Sequence, residues 1–359
     1  MSPDLPSDHP HHLGITVSMV PTERLTVCVR EVEGREAGWP VVFVHGNVSS
    51  SPFFFRAMQA LPDQYRPIAV DLRGFGGTDT APVDATRGLR DFADDVRATL
   101  DALSLDRAHL VGWSMGGGVV MQVMLDAPSR VRSAVLINPV SPYGFGGTTG
   151  TDGALVAPDG AGSGGGTVNA DFVAALSGEA VADENPSSVR SVLRAFYVAP
   201  GWDGADEEAY VASMLSTSVG PDNYPGDSAP SDHWPGVAPG RLGVLNTMAP
   251  THLDLSGIAD IDPKPPLLWI RGELDQIVSD TSMFDLAQLG ALGAVPGYPG
   301  ATVLPPQPMI AQTRSVLQAY VAGGGHAREA VIAGVGHSPH IERTDEFVAL
   351  VAEHLDGVS

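Results

Sequence analysis

A serine, an aspartate and a histidine stand where their chemistries could be combined. Ser114 sits in Gly112-Trp113-Ser114-Met115-Gly116, after an apolar run and before a Gly-rich apolar stretch. A strand turning directly into a helix needs this spacing. The apex residue takes a strained backbone conformation, and a Cβ at Gly112 or Gly116 would strike the neighbouring strand or helix. The hydroxyl is then exposed at a helix N-terminus, where backbone N–H groups and the helix dipole favour developing negative charge. A serine hydroxyl is a weak nucleophile at neutral pH and needs a base, which a third group must hold. Asp275 lies in a turn after the apolar run 267–270, and His337 directly follows the run 330–335. The alternative is a Gly-rich helix start with an idle serine.

These residues need a scaffold that gathers strand ends. Residues 15–20 and 25–31 alternate apolar and polar, as a half-buried antiparallel strand pair does. Residues 40–44, 67–71 and 134–138 are continuous apolar runs, the pattern of strands buried on both faces. Leu89, Phe92, Ala93, Val96, Leu100 and Leu103 recur at helical intervals. Strands alternating with helices imply right-handed crossovers and a mostly parallel sheet. The alternation stops after Asn138. Residues 144–166 hold ten glycines in 23 positions, which reads as a flexible loop or lid hinge. Asn185-Pro186 reads as a helix start, and 206–215 as a second helix with an acidic first turn. Core returns at 265–270, followed by an irregular stretch over 289–307. A helix over 310–321, a last strand over 330–335 and a closing helix over 346–355 are expected. The expected organisation is an α/β core from 15–138 and 265–359, with a cap or lid over 139–264. That cap would cover the strand ends, where ligands of such sheets bind. A disordered tail is expected over 1–14, with His9, His11 and His12 part of a Pro-rich segment rather than a metal site.

The 359 residues suit one large α/β domain carrying an insertion. A net charge of −22 argues against nucleic acid and anionic lipid as partners. The single cysteine, Cys28, excludes an intrachain disulfide and a Cys-based metal site. Residues 74–77 lack the Lys-Ser/Thr ending of a phosphate loop. The sequence has no 18-residue apolar run, and its start has neither the basic nor the apolar part of a signal peptide. A soluble, cytoplasmic protein is expected, with no metal, no cofactor and no membrane partner; nothing in the sequence assigns an oligomeric state.

Taken together, HGNVSS at 45–50, DLRGFGGTD at 71–79, GWSMGGG at 112–118, RGELDQIV at 271–278 and GVGHSPHIE at 334–342 make the chain resemble an α/β-hydrolase fold enzyme. The resemblance implies a mostly parallel central sheet flanked by helices, with a large, mainly helical cap. It implies Ser114 as nucleophile, His337 as general base and then acid, and Asp275 as the triad acid. Glu273 is the spare carboxylate. Family members with the acid after the strand preceding the cap are not matched, because Asn138 stands there. His340 is a weaker alternative base, read as surface or cap-facing. The implied oxyanion hole is the backbone N–H groups of Asn47 and Met115. His45-Gly46-Asn47 also resembles the opening of haloalkane dehalogenases, which, like epoxide hydrolases, place an aspartate at the elbow; Ser114 argues against both. Trp113, Phe54, Tyr197 and Trp234 are candidate substrate-binding residues. Asp71, Arg73 and Asp79 read as loop-fixing ion pairs and caps. The implied activity is cleavage of an ester or lactone of a small to medium apolar molecule through an acyl-enzyme. One alternative is C–C hydrolysis of a ring-cleavage diketone, whose carboxylate Arg190, Arg194 or Arg241 could hold. Others are amide hydrolysis, acyl transfer or cofactor-free peroxidation, and a ligand receptor without turnover.

Overall fold

The structure, a computed structural model, describes residues 13–179 and 182–358. Eight strands make the central sheet: β1 (Ile15–Pro21), β2 (Thr26–Val32), β3 (Trp39–Val44), β4 (Tyr65–Val70), β5 (Ala108–Trp113), β6 (Val131–Ile137), β7 (Leu267–Gly272) and β8 (Ala327–Ile332). Their order is β1-β2-β4-β3-β5-β6-β7-β8. β2 pairs antiparallel with β1 and β4, and every later pair is parallel. Hydropathy sets the positions. β5, in mid-sheet, is buried along its whole length, whereas β1, at the edge, is largely exposed. Helices α1 (Phe55–Ala60), α2 (Arg90–Ala102) and α3 (Met115–Asp126) belong to the first half of the core. α3 is buried from Met115 to Met124, so a helix of Gly, Val and Met without a polar face is what the site requires.

β8 ends at Ile332, so it begins and ends three residues before the expected strand. As an edge strand it exposes most of its side chains, and no apolar run marks it. The expected strand, 330–335, overlaps β8 at 330–332, and 333–335 carry the chain into the loop before His337.

Residues 139–264 stay outside the sheet. They contain α4 (Ala170–Leu176), α5 (Val189–Val192) continued by a π-turn over Leu193–Tyr197, α6 (Glu207–Leu215) and three two-stranded ribbons. Loops and turns make up the larger part, so the insertion is less helical than expected; its glycines and prolines are poor helix formers. α5 is capped by Ser188, whose hydroxyl accepts the Ser191 N–H at 3.1 Å, while Asn185 serves an earlier turn by accepting the Ser187 N–H. The Gly-rich stretch is built into the fold rather than slack. Gln307 accepts the Gly146 N–H at 2.6 Å and donates to the Gly144 carbonyl, and Gln312 donates to the Thr148 hydroxyl and the Gly150 carbonyl. At Gly164, with φ +79°, a Cβ would lie 2.3 Å from Asn246 Oδ1. Glycine is there for close approach and left-handed turns. The insertion rests on the loops after β3 and β4: the Ser213 hydroxyl accepts the Ser50 N–H at 2.8 Å, and the Ser218 N–H donates to the Gly74 carbonyl.

No helix among the described residues is long and apolar enough to cross a membrane. Residues 1–12, with His9, His11 and His12, lie outside the described residues.

Candidate active site

The elbow is a steric construction. Ser114 has φ +56° and ψ −120°, a conformation that costs an L-residue about 1–3 kcal/mol. The surroundings hold it there. Its N–H donates to the Ile137 carbonyl on β6 at 2.8 Å, and its carbonyl accepts the Gly117 and Val140 N–H groups. A Cβ at Gly112 would lie 2.3 Å from the Gly116 carbonyl oxygen, and one at Gly116 would lie 2.2 Å from that of Val44. Strand and helix touch backbone to backbone, and the serine is left partly exposed above the sheet.

Asp275 and His337 meet next to Trp113, the residue before Ser114, whose ring centroid lies 5.5 Å from that of His337. His337 Nδ1 lies 2.9 Å from Asp275 Oδ2, with both side chains 2% exposed. The other carboxylate oxygen accepts the Ile277 and Val278 N–H groups, so the acid is oriented by its own turn. Glu273 faces elsewhere: it is exposed and accepts the Gly334 N–H. The His337 backbone carbonyl accepts from the Trp113 indole at 2.9 Å and from the Asn138 amide at 2.8 Å. Asn138 in turn accepts the Gly272 N–H at the end of β7. Asn138 therefore joins the acid strand to the histidine loop.

The loop after β3 lies against the elbow; a Cβ at Gly46 would come 3.0 Å from that of Ser114. His45 is fully buried, accepts the Leu72 N–H at Nε2, and holds the Gly46 carbonyl through Nδ1 at 2.7 Å. Burial pushes its pKa down to about 4, so it serves as a neutral strut. Beneath it, Asp71 takes Arg30, the Ser51 N–H and hydroxyl, and the Gly77 N–H. Burial opposes its ionisation, but Arg30 and these donors prevail and hold its carboxyl below the usual range. Arg73 forks onto Asp95, and Asp79 accepts the Thr26 N–H. Among the described residues no group of three or more His, Cys, Asp or Glu is placed to hold a metal ion.

A family model described as alpha/beta hydrolase fold matches residues 40–155. This match and the sheet order give the chain the α/β-hydrolase fold. It is 34% identical over 103 residues to the carboxylesterase YbfK of Bacillus subtilis, covering 29% of this chain and 34% of that one. It is 36% identical over 104 residues to a 2-hydroxymuconate semialdehyde hydrolase of a Pseudomonas species, covering 28% and 36%. The chain thus spans about a third of the length of these curated relatives. A crystal structure of a putative aryl esterase from Burkholderia cenocepacia superposes over 96% of this chain and 99% of that one, with a TM-score of 0.59 and 18% identity. The family match includes Asn47 and Ser114 and stops before Asp275 and His337.

Within this fold, two of the four candidate substrate contacts are placed otherwise than the sequence suggested. Trp113 and Phe54 have no exposed surface. Trp113 packs between Phe53 and His340, and Phe54 between Phe43 and His340, so both are core. Trp234 packs on Tyr298 and donates to the Pro296 carbonyl, part of the irregular 289–307 stretch. Tyr197 does come to the site, but its hydroxyl donates to the Asn47 carbonyl at 3.0 Å. His340 is corrected as well. It is fully buried, its ring 4.7 Å from Trp113 and 4.9 Å from Phe54, and neither ring nitrogen has a hydrogen-bond partner among the described residues. Burial holds it neutral. The sequence reading missed Glu342, whose carboxylate accepts the Gly336 and Ser338 N–H groups on either side of His337. Glu342 stands in the GVGHSPHIE segment, but the direction of its side chain has no sequence signal.

Proposed function

We propose that the protein is a serine hydrolase that cleaves a carboxylic ester or lactone through an acyl-enzyme. The observation that carries this reading is the oriented Asp275–His337 pair, held by the indole of Trp113, the residue before a strained, partly exposed Ser114. His337 takes the Ser114 proton as the oxygen attacks the carbonyl carbon. Asp275 fixes the ring and offsets the positive charge that forms on it. The backbone N–H groups of Asn47 and Met115 receive the oxyanion, each stabilising it by a few kcal/mol. His337 then returns the proton to the leaving alcohol, and water repeats the sequence to free the acid. The insertion over 139–264 acts as the cap that encloses a small to medium apolar substrate.

The esterase name of one relative and the hydrolase names of others support this class, and the match to the 2-hydroxymuconate semialdehyde hydrolase keeps C–C cleavage as a second reading. That reading needs a free cation in the cap. Arg190 is committed to Asp183, Glu207 and Glu208, and Arg194 to Glu207, which leaves Arg241 to fill that role. The test is hydrolysis of p-nitrophenyl esters from acetate to decanoate and of a lactone panel, with Asp275→Asn as the control. Ester turnover that falls about 10⁴-fold in the variant supports the reading. Absence of ester and lactone turnover in the parent protein, with cleavage of a ring-fission diketone, would replace it.

A further inference from the structure

One short segment of the insertion touches both halves of the site. The π-turn Leu193–Tyr197 ends in an extended residue, Val198. The Tyr197 hydroxyl donates to the Asn47 carbonyl. Two residues on, the Ala199 N–H donates to Glu342 Oε2 at 2.7 Å. The same carboxylate takes the Gly336 N–H at 3.0 Å and the Ser338 N–H at 3.3 Å through Oε1. A Cβ on Gly336 would sit 2.8 Å from the Ala199 nitrogen, so the two loops meet backbone to backbone. All these partners of Glu342 are N–H donors, and a carboxylate accepts them best when ionised.

We propose that Glu342 is a positioning residue for His337, and that through Ala199 it makes the seating of the insertion part of what aligns the histidine. The inference rests on the reading of His337 as the general base. Its backbone carbonyl is fixed by Trp113 and Asn138, and its flanking amides by Glu342. The carboxylate is the member of this frame that hydrogen-bonds the insertion, while the Trp113 ring packs against Tyr197 without a hydrogen bond. Burial pushes the Glu342 pKa up, while the three amides and His337 act in the opposite sense. Its negative charge therefore also favours the imidazolium that forms on His337 during turnover.

The experiment compares Glu342→Gln and Ala199→Pro with the parent chain on the best ester. Glutamine keeps the shape but turns an NH₂ group toward N–H donors. Proline removes only the Ala199 donor, and the extended Val198 before it suits a following proline. For Glu342→Gln the expected result is a kcat lower by about tenfold or more, since misplacement of a reacting group by an ångström can cost that much. KM should stay within about threefold, because the Glu342 carboxylate is taken up by backbone amides rather than facing a substrate carbonyl. The acid limb of the kcat profile should move down, because a negative charge that favours the imidazolium is removed. For Ala199→Pro a loss in kcat of a few-fold is expected with the acid limb in place. A Glu342→Gln enzyme with unchanged kcat and acid limb overturns the inference, as does a loss that only follows the folded fraction. If Glu342→Gln does not fold, an unchanged kcat in Ala199→Pro overturns it. Parent-level activity in His337→Ala would instead show that the triad reading has failed.

Discussion

The elbow at Ser114 and the loop at His337 deliver the two reacting groups by opposite means. The elbow is held by contact: at Gly112 and Gly116 there is no room for a methyl group, and the strained apex is anchored through its own backbone. The histidine loop is held by side chains. Trp113, Asn138 and Glu342 each spend a polar group on its backbone, and each comes from a different part of the chain. Steric construction leaves nothing adjustable. Polar construction can be coupled to other parts of the molecule, and here it reaches the insertion through Ala199.

This difference can be broken at either end. Gly116→Ala forces a methyl group to within 2.2 Å of the Val44 carbonyl oxygen, so strand and helix must part. A loss of about 3 kcal/mol in urea unfolding is expected, with activity lost alongside stability. Acid should also separate the two regions. His45, on the elbow side, is held neutral by burial with a pKa near 4. The unfolded chain binds that proton near pH 6.5, so the stability His45 contributes is present above that pH and lost as pH falls toward 4, about 3 kcal/mol in all. Glu342 has the opposite sign: its raised pKa gives a contribution that is present below the ordinary glutamate range and lost as pH rises. Urea midpoints measured from pH 7 to 4 should fall, and fall less in a His45→Gln variant. The smallest effect is expected at Asn138→Ala, which leaves the Gly272 N–H without its acceptor and frees one of two donors on the His337 carbonyl. A loss of about 1–2 kcal/mol and a kcat reduced by less than in Glu342→Gln are expected from parallel unfolding and ester kinetics.

The same contrast explains what the sequence could tell. The elbow was legible because sterics impose residue types at fixed spacing. The mostly parallel sheet was legible because strands buried on both faces read as unbroken apolar runs. The choice between Asp275 and Glu273 was not a matter of residue type. It depends on the turn in which Asp275 accepts the Ile277 and Val278 amides and so aims its second oxygen at His337. His340 was misread because its partners are aromatic rings at positions 54, 113 and 347, none of them local. The packing of Trp234 on Tyr298 was not legible, because Tyr298 lies in a segment without periodicity. The glycines of 144–166 looked like slack chain because composition alone does not show Gln307 and Gln312 filling the turns they make.

The most direct test of the central claim is covalent labelling with a fluorophosphonate, read by intact mass and peptide mapping. One adduct per chain on Ser114, absent in Ser114→Ala and slowed at least about a hundredfold in His337→Ala, is the predicted result. Ester turnover with no adduct on Ser114, or an adduct on another residue that accounts for the loss of activity, would contradict it.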